Sequence, residues 1–596
     1  MTPENFIASK AVLAIKKLYD ADVDASTLQV SVTRKEFEGD YTLVVFPLLR
    51  ISHSSPDNTG KAIGDWLIAN VPEVASINVV KGFLNISFSN VYWNELFSEI
   101  AGDSNFGQLP STGKNIMIEF SSPNTNKPLH LGHIRNNLLG DSVSKLLKAC
   151  GNNVITSTLV NDRGVHICKS MLAWEKVGNG ATPESTGKKG DHLVGDFYVA
   201  FNNIYKEEVD ALVAKGVPQE EAEKEAPSLK QAHQMLVKWE EGDKDVRELW
   251  KKMNGWVLDG FAQTYKALGI SFDKTYFESQ TYLLGKELVQ KGLEMGVFVK
   301  DPDGSVWCDL TADGLDRKLL LRGDGTSVYI TQDLGTAERR FSEYKLDKHV
   351  YVVGDEQNYH FQVLKLILKK LGFPWADDIY HLSYGMVELP NGRMKSREGT
   401  VVDADDLIEQ MYQTAKDTSL ASGKLADMGD EEKEKLFHII GLGALKYFII
   451  KVDPKKTMLF NPEESIDFNG NTGPFIQYTH ARIESILRKA DESGKSRKVS
   501  DLKQNLALSP KETRLIKILN TYPSKIAEAG EALSPAVIAN FAYELAKEFN
   551  QYYHDTPILK EPDENLLTGR LVLIGTIASV LRKAMGILGI ELPERM

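Results

Sequence analysis

The chain has 596 residues, of which 42% are hydrophobic and 26% charged, a composition typical of a multidomain globular protein and not of a disordered one. Its 70 basic and 82 acidic residues give a net charge of −12, which argues against a surface wrapped throughout in nucleic acid but allows a local basic face. The three cysteines are too few for a disulfide framework or a four-cysteine zinc site.

Residues 1 to 108 form the first predicted unit. Its opening segment lacks the basic stretch and continuous apolar run of a secretory signal, so a cytoplasmic location is expected. Apolar residues at helical spacing from Phe6 to Leu18 precede two strand-like stretches, Leu28 to Val32 and Thr42 to Phe46. This unit contains no catalytic pattern, which indicates an accessory or binding role.

The second predicted unit, residues 112 to 401, opens as β-α-β. The apolar strand Ile116 to Phe120 is followed by a loop, by a helix that stops at Gly151, and by the strand Val154 to Val160. A repeat of this length favours an α/β fold with a doubly wound, Rossmann-like parallel sheet.

The sheet is expected to resume with strands at His349 to Val353 and His381 to Val387, with a helix near Gln362 to Leu371 between them. A polar insertion rich in Glu and Lys separates the two halves at about residues 165 to 300. The turn from Asp301 to Gly304, between strand-like flanks, predicts a hairpin.

The rest of the chain is predicted to be helical, with a connector at residues 402 to 469 and an all-α domain at 470 to 596. The charges of this last domain are nearly balanced, so it could face a polyanion without strong repulsion. The longest apolar stretch, Leu571 to Leu581, is too short to span a bilayer, and no membrane association is expected.

The motif His130-Leu131-Gly132-His133 lies where the first loop of the sheet enters its helix. A helix N-terminus favours phosphate, and Gly132 allows a nucleotide to approach the backbone. Two imidazoles three positions apart can donate hydrogen bonds to phosphate oxygens and stabilise charge that develops during adenylyl transfer. The alternative interpretation is that the two histidines cap the helix or bind a metal ion.

The surroundings of this motif resemble the signature of class I aminoacyl-tRNA synthetases, and more narrowly the arginyl-tRNA synthetase family. The resemblance spans nearly the whole chain and is weakest in the insertion. It is carried by six segments: Glu119 to Asn136, Asn161 to Gly164, Tyr329 to Asp333 as a strand end, Tyr351 to His360, Asn471 to Arg482 and Leu588 to Met596. It implies an α+β N-terminal domain that touches tRNA and an α-helical C-terminal domain that binds the anticodon.

The resemblance further implies that ATP activates L-arginine to arginyl-adenylate, and that the 2′-OH of the terminal adenosine of tRNA(Arg) then accepts the arginyl group. Activation is expected to require bound tRNA. Mg²⁺ is expected to arrive with ATP, held mostly by phosphates and water, with no protein ligand and no organic prosthetic group. A monomer is expected.

Carried over residue by residue, the resemblance assigns catalysis to His130, His133, Lys127 and Lys395. The ATP site is expected to comprise His130, Gly132, His133, Met386, Lys395, Ser396 and Arg397. The second class I signature, Arg393 to Arg397, departs from the usual pattern because Ser396 stands where a lysine is common. Lys127 is a plausible replacement for that charge.

A pocket for a guanidinium group needs carboxylates and other oxygen acceptors that match its planar donors. By resemblance, the residues that bind arginine are Glu119, Ser122, Pro123, Asn124, His133, Tyr329, Asp333 and Gln357. Such a pocket rejects neutral analogues strongly, so no separate editing domain is expected.

Contacts with the tRNA anticodon are expected where bases can stack on aromatic rings or Arg planes. The candidates are Tyr478, Arg482, Tyr552 and Tyr553, and a core role is an open alternative for each tyrosine. Arg163 stands where the family has tryptophan, which leaves its role undecided between a neutral replacement and a contact to the terminal adenosine.

Two other functions remain compatible with the sequence. One is a class I synthetase for another amino acid, of which lysine is conceivable. The other is an RNA-binding paralogue without activity, favoured by Ser396 and opposed by the intact residues Asn124, His130, Gly132 and His133.

Overall fold

The computed structural model describes residues 2–388, 402–421, 425, 427–503 and 505–596. Its N-terminal domain is a four-stranded antiparallel sheet in the order β1-β2-β4-β3, with helices packed on it. The elements are α1 (Pro3–Tyr19), β1 (Val30–Val32), β2 (Tyr41–Val44), α2 (Leu49–Ser52), α3 (Pro56–Asn70), β3 (Val74–Val80), β4 (Phe83–Phe88) and α4 (Asn90–Gly102).

The second domain is built on a five-stranded sheet in which every neighbouring pair is parallel, in the order β12-β11-β5-β6-β7. Its elements are β5 (Asn115–Glu119), α5 (Leu131–Ala149), β6 (Asn153–Val160), β7 (Lys274–Phe277), α14 (Tyr329–Tyr344), β11 (Lys348–Gly354), α15 (Asn358–Lys370) and β12 (Ile379–Tyr384). The predicted doubly wound α/β fold is therefore confirmed.

Alternating residues of β5 divide the core of this domain into two layers. Ile116 and Ile118 are buried in the layer that contains α5, whereas Met117 is buried in the layer that contains α14 and α15. Glu119, the last residue of β5, follows the same alternation and lies on the α14 side, where it is 6% exposed.

The long insertion is helical and is followed by a small antiparallel sheet. Its elements are α6 (Val165–Val177), α7 (Pro183–Thr186), α8 (Gly190–Ala214), α9 (Gln219–Glu225), α10 (Pro227–Glu241) and α11 (Lys244–Leu268). After β7 come α12 (Glu278–Thr281), α13 (Lys286–Glu294), β8 (Phe298–Lys300), β9 (Val306–Cys308) and β10 (Lys318–Leu321). The antiparallel pair β8–β9 confirms the predicted hairpin.

The expected strand end at Tyr329 to Asp333 is wrong, because these residues form the first turn and a half of helix α14. The β-branched residues there favour a strand locally. Burial follows a helical spacing instead, with Ile330, Leu334, Ala337 and Phe341 all facing the core. Packing of this apolar face overrides the local preference.

The C-terminal part of the chain is almost entirely helical. Its elements are β13 (Val387–Glu388), α16 (Ala404–Ala421), α17 (Asp430–Ile450), β14 (Met458–Leu459), α18 (Pro462–Ser465), α19 (Gly473–Glu492), α20 (Pro510–Asn520), α21 (Tyr522–Ala532), α22 (Ala536–Asp555) and α23 (Glu564–Ile587). Among the described helices, α23 alone is long and apolar enough to cross a membrane, but more than half of its apolar window is buried inside the protein. It forms the core of the C-terminal helical bundle.

The first and last domains are joined by a contact that we call the clasp, formed by Asn94 and Leu506. The side-chain amide of Asn94 donates to the carbonyl oxygen of Leu506 at 3.0 Å and its Oδ1 accepts from the Leu506 N–H at 3.0 Å. Nearby, the Lys517 ammonium pairs with Asp40. The N-terminal domain therefore rests against the helical bundle.

Candidate active site

The site lies along the carboxyl edge of the parallel sheet, where the loops after β5, β6, β7 and β11 meet. The loop after β5 begins with Ser121, a non-glycine residue at φ 61°. Its N–H donates to Oδ1 of Asn136 at 2.6 Å, and Asn136 also donates to the carbonyl of Val352 in β11 at 2.7 Å. A strained backbone held from two sides fixes this loop in place.

The two histidines of the motif cap helix α5 reciprocally. The N–H of Gly132 donates to Nδ1 of His130 at 3.1 Å, and the N–H of His130 donates to Nδ1 of His133 at 3.1 Å. Because each Nδ1 accepts a hydrogen bond, each neutral ring must carry its proton on Nε2. The helix-cap interpretation is correct, and the cap does not use the Nε2–H group of either ring.

The protonation state of both rings agrees with a donor role. Burial, with the nearby charge of Lys127, lowers the pKa of His130 to about 4. Burial also lowers the pKa of His133 well below its ordinary value. Both rings are therefore neutral near pH 7, and their donor character does not change in that range.

The capping histidine leaves little room for a side chain at Gly132. A Cβ at this position would lie 3.0 Å from Cε1 and 3.1 Å from Nδ1 of His130. A side chain here would therefore require the capping ring to shift by a few tenths of an ångström. Lys127 is half-buried at the start of the same region, and burial lowers the pKa of its ammonium.

The chain that follows residues 389–401 is attached to the histidine motif. The N–H of Leu131 donates to the carbonyl of Val402 at 3.0 Å, and the N–H of Ala404 donates to the carbonyl of Leu129 at 3.0 Å. On the other side, β13 pairs with β14. Lys395, Ser396 and Arg397 lie outside the described residues, and their expected roles stay predictions.

The first turns of α14 present the expected arginine-binding pair. Tyr329 and Asp333 are one helical turn apart and so share a face, with Tyr329 77% exposed. Oδ2 of Asp333 lies 2.6 Å from Nε2 of His360 in α15. Sequence reasoning did not single out His360, because its relation to Asp333 depends on how two helices pack.

Glu119 requires a correction. It was expected to add a second carboxylate to the pocket, with a charge at the rim as the alternative, but it is buried and forms an ion pair with Arg340 of α14. The expectation missed this pair because a strand end and a distant helix meet only in the folded chain. The substrate would therefore meet a carboxylate that is already compensated by an internal guanidinium.

The remaining expected residues lie at the same sheet edge but differ in exposure. Ser122, Asn124 and Gln357 are exposed, and Met386 is 38% exposed. Pro123 is buried, and its carbonyl accepts from the N–H of Asn161 at 3.0 Å. The structure thus places these residues near the ends of the strands, and their shared role in one site stays a prediction.

Within the described ranges, one trio of potential metal ligands lies close together: Asp191, His192 and Asp405. The Lys189 ammonium lies 3.1 Å from Asp191 and 2.6 Å from Asp405, so a cation already occupies this position. Mg²⁺ prefers an all-oxygen octahedron, which this mixed cluster does not offer. These residues do not fit Mg²⁺.

Arg163 is held by the insertion. Its guanidinium carbon lies 4.0 Å from the ring centre of Tyr282 and 5.6 Å from that of Trp239, and it pairs with Glu240. Burial raises the pKa of the neighbouring Glu278 to about 7. With these contacts Arg163 joins the sheet to the insertion.

Three of the four expected tRNA contacts converge in one cleft of the C-terminal domain. The Arg482 guanidinium carbon lies 4.8 Å from the ring centre of Tyr478 and 5.5 Å from that of Tyr553. Two neighbouring cavities of about 260 and 580 Å³ share Tyr478 and Arg482 in their linings. Further basic side chains line the smaller one: Arg488, Lys489 and Arg595.

Tyr552 is the exception and corrects the expectation. It is 1% exposed, and its hydroxyl donates to Oε1 of Glu512 at 3.0 Å. Nε of Arg570 also donates to this oxygen, at 2.8 Å. Leu545, Phe549 and Tyr552 repeat at core spacing along α22, which places Tyr552 inside the bundle.

Replacing Tyr552 by phenylalanine should therefore affect stability and not tRNA binding. Loss of the buried hydroxyl leaves one hydrogen bond of Glu512 unmade, which costs about 1–2 kcal/mol. Urea denaturation followed by circular dichroism would measure the lowered free energy of unfolding. An unchanged unfolding midpoint with weaker tRNA binding would contradict this assignment.

Comparison with known proteins shows which protein families share this architecture. Residues 98–461 match the family described as tRNA synthetases class I (R), catalytic domain, and residues 476–596 match the DALR anticodon binding domain. The parallel sheet with a histidine-capped helix after its first strand is thus the catalytic domain of a class I aminoacyl-tRNA synthetase.

The similarity to individual proteins extends over the full length of the chain. The chain is 57% identical to "Arginine--tRNA ligase" of Parabacteroides distasonis over 598 residues, covering 100% of both chains. It is 54% identical to the protein of that name from Flavobacterium psychrophilum, with 98% of each chain covered. The solved structure of Thermus thermophilus arginyl-tRNA synthetase superposes with a TM-score of 0.77 at 25% identity, covering 100% of both chains. The chain belongs to the arginyl-tRNA synthetase family.

Proposed function

We propose that this enzyme joins L-arginine to tRNA(Arg) at the expense of ATP, and that the cleft at the carboxyl edge of the sheet carries out both steps. The single observation that supports this most is the reciprocal capping of α5 by His130 and His133. It places two neutral Nε2–H donors at a helix N-terminus, which is an anion site.

In the first step the arginine carboxylate attacks the α-phosphorus of ATP and pyrophosphate leaves. His130 and His133 donate to phosphate oxygens as negative charge develops, and Lys127 supplies a positive charge beside them. Lys395, Ser396 and Arg397 would bind the departing phosphates. Catalysis then consists of positioning and charge stabilisation, without a covalent intermediate on the protein.

The arginine side chain is proposed to lie against Asp333 and Tyr329 of α14, with Glu119 at the pocket floor. Asp333 offers a carboxylate whose other contact is His360. Ser122, Pro123, Asn124, His133 and Gln357 would surround the α-amino and carboxylate groups. Mg²⁺ is proposed to enter with ATP, held by phosphates and water.

The second step transfers the arginyl group to the 2′-OH of the terminal adenosine. We propose that Tyr478, Arg482 and Tyr553 hold anticodon bases in the C-terminal cleft, since aromatic rings and guanidinium planes suit splayed bases. The N-terminal domain would contact the tRNA elsewhere. The enzyme is proposed to act as a monomer in the cytoplasm.

Tyr553 and Tyr552 are neighbours that test this cleft directly. Replacing Tyr553, which is 38% exposed, by alanine should remove a stacking surface worth about 1–3 kcal/mol per base. The KM for tRNA(Arg) should rise about 5- to 150-fold, with the KM values for arginine and ATP unchanged. Tyr552→Phe is the matched control and should leave the KM for tRNA unaltered. Equal effects of both variants would contradict the proposal.

The proposed function is tested by ATP–pyrophosphate exchange with and without tRNA(Arg), with lysine as the control amino acid. Exchange with arginine, seen only when tRNA is present, is the expected result. Exchange without tRNA would remove the tRNA requirement and keep the enzyme. Exchange with lysine in preference to arginine would favour another specificity, and none under any condition would favour a paralogue that only binds RNA.

A further inference from the structure

Arg340 is a charged side chain that the reaction as described does not use. It heads the largest fully buried side chains of the described residues and is 1% exposed. Its guanidinium pairs with Glu119, and its NH1 donates to the hydroxyl of Tyr351 at 3.4 Å. Its guanidinium carbon lies 4.6 Å from the ring centre of Tyr276. The group is thus enclosed by β5, β7 and β11.

Its partner lies at the centre of the sheet edge. Glu119 is opposite Tyr351 of β11 on one side and Ser157 of β6 on the other. Arg340 follows Asp333 by seven residues on α14, which places both on the same face of the helix. Asp333 is close enough to Glu119 to raise the pKa of its carboxyl group, so the two carboxylates lie near each other. The guanidinium of Arg340 pairs with Glu119 in the interior.

A buried ion pair of this kind is poor evidence for a stabilising role. The free energy needed to remove two charges from water is about as large as the energy of their attraction. Replacing such a pair by apolar residues therefore often leaves the stability of a protein unchanged or increases it. The surrounding layer is apolar, with Leu334, Ala337 and Phe341 on the same helix. The pair therefore calls for a reason other than stability.

The charge balance of the region supplies that reason. Two carboxylates, Glu119 and Asp333, and one guanidinium, Arg340, leave a net charge of one negative unit. An incoming arginine side chain brings one positive unit and would neutralise it. Without Arg340, two carboxylates would have to be desolvated for one substrate cation, and one of them would take up a proton.

We propose that Arg340 is a positioning residue that sets the specificity of the arginine pocket, because it keeps Glu119 ionised and oriented beneath the substrate guanidinium. This inference rests on the proposed function, in which arginine binds beside Asp333 and Glu119. Arg340 itself does not touch the substrate. It acts through the Glu119 carboxylate.

The proposal predicts a pH dependence. The titratable groups around Glu119 are Arg340 and Asp333 of α14, Tyr351 and His349 of β11, and Tyr276 of β7. Burial raises the pKa of Glu119, and the Arg340 guanidinium opposes that rise. Loss of Arg340 should raise this pKa further, so arginine binding should weaken as pH falls, beginning at a higher pH than in the wild type.

The test uses the full-length enzyme with tRNA(Arg) and measures the KM for arginine and for ATP by pyrophosphate exchange across pH. Arg340→Met should raise the KM for arginine about 10- to 100-fold near neutral pH, since the substrate guanidinium would lose a hydrogen bond to an ionised carboxylate. The KM for ATP should stay within a factor of about two. Arg340→Lys, which keeps the charge, should restore part of the loss.

Arg339→Met is the matched control, because Arg339 is the neighbouring residue on α14, is 46% exposed and contacts Glu343 at the surface. Arg339→Met should leave the KM for arginine and the KM for ATP unchanged. The double variant Glu119→Gln/Arg340→Met also removes the Glu119 carboxylate that Arg340→Met alone would leave without a partner. This variant should fold, show no pH dependence of the KM for arginine from Glu119, and discriminate poorly between arginine and citrulline.

The inference fails if folded Arg340→Met has the wild-type KM and pH profile for arginine. Should Arg340→Met not fold, the double variant decides, and a wild-type pH profile in it would overturn the inference. Failure of the proposed function itself is distinct, since the wild type would then show no arginine-dependent exchange.

Discussion

Replacing His133 by alanine is expected to lower kcat for arginine-dependent pyrophosphate exchange about 10²- to 10³-fold, the usual cost of one lost donor at a charge that develops in the transition state. The side chain serves two purposes, because Nδ1 accepts from the His130 N–H at 3.1 Å and Nε2 remains a donor. The variant should therefore also lose about 1 kcal/mol of stability through the missing cap.

A second substitution separates the two purposes. Gln is favoured at this position of a capping box, so His133→Gln should recover the stability lost in the alanine variant. Its activity should recover much less, since the amide cannot hold the backbone and present a donor as the imidazole does. His233→Ala, at an exposed position of α10, is the control and should change neither the stability nor the exchange activity. Full exchange activity in His133→Ala would refute the role given to this ring.

Replacing Asp333 by asparagine is expected to remove most of the preference for arginine. A hydrogen bond to a charged group is worth about 1.5–3 kcal/mol, so kcat/KM for arginine should fall about 10- to 150-fold. Asparagine keeps the size of the side chain and can still accept from His360, 2.6 Å away in the wild type. The thermal stability and the KM for ATP should therefore change little.

Citrulline, which has the shape of arginine without its charge, is the informative competitor. The wild type should reject citrulline strongly. Asp333→Asn should reduce the ratio of kcat/KM for arginine to kcat/KM for citrulline. Asp316→Asn, an exposed site on the loop before β10, is the control. If Asp333→Asn discriminated arginine from citrulline and lysine as well as the wild type does, the pocket would have to lie elsewhere.

The sequence predicted four of the five strands of the parallel sheet from their apolar runs, but it missed β7 (Lys274–Phe277), which lies inside the predicted insertion. It also predicted a phosphate site from a short motif at a helix start, and this site stays a prediction. It did not reveal that both histidines use Nδ1 as a helix cap. That fact depends on side-chain rotation, although the helix-cap alternative was available from residue type alone.

The errors have separate physical causes. The segment at Tyr329 was expected to be a strand end because of the family resemblance, whereas the spacing of Leu334, Ala337 and Phe341 pointed to a helix. Tyr552 was named with Tyr553 as a candidate tRNA contact, with a core role left open, and the spacing from Leu545 already favoured the core position. In both segments the periodicity of the buried residues predicts the observed placement.

The partner of Glu119 could not have been found in this way. Arg340 is one of many basic residues on helices, and its burial beside Glu119 depends on how α14 packs against the sheet. The same holds for His360 and Asp333. Long-range pairs of charged groups are the part of this site that only the folded chain defines.

The clasp between Asn94 and Leu506 can form only after most of the chain has been synthesised. Its two halves are 412 residues apart, and at about 5–20 residues per second the ribosome needs roughly 20–80 s to make the second half after the first. During that interval the N-terminal domain has already emerged with its docking face uncovered. Its solubility in isolation is thus a requirement of every round of translation, and substitutions on that face should reduce yield before they reduce activity.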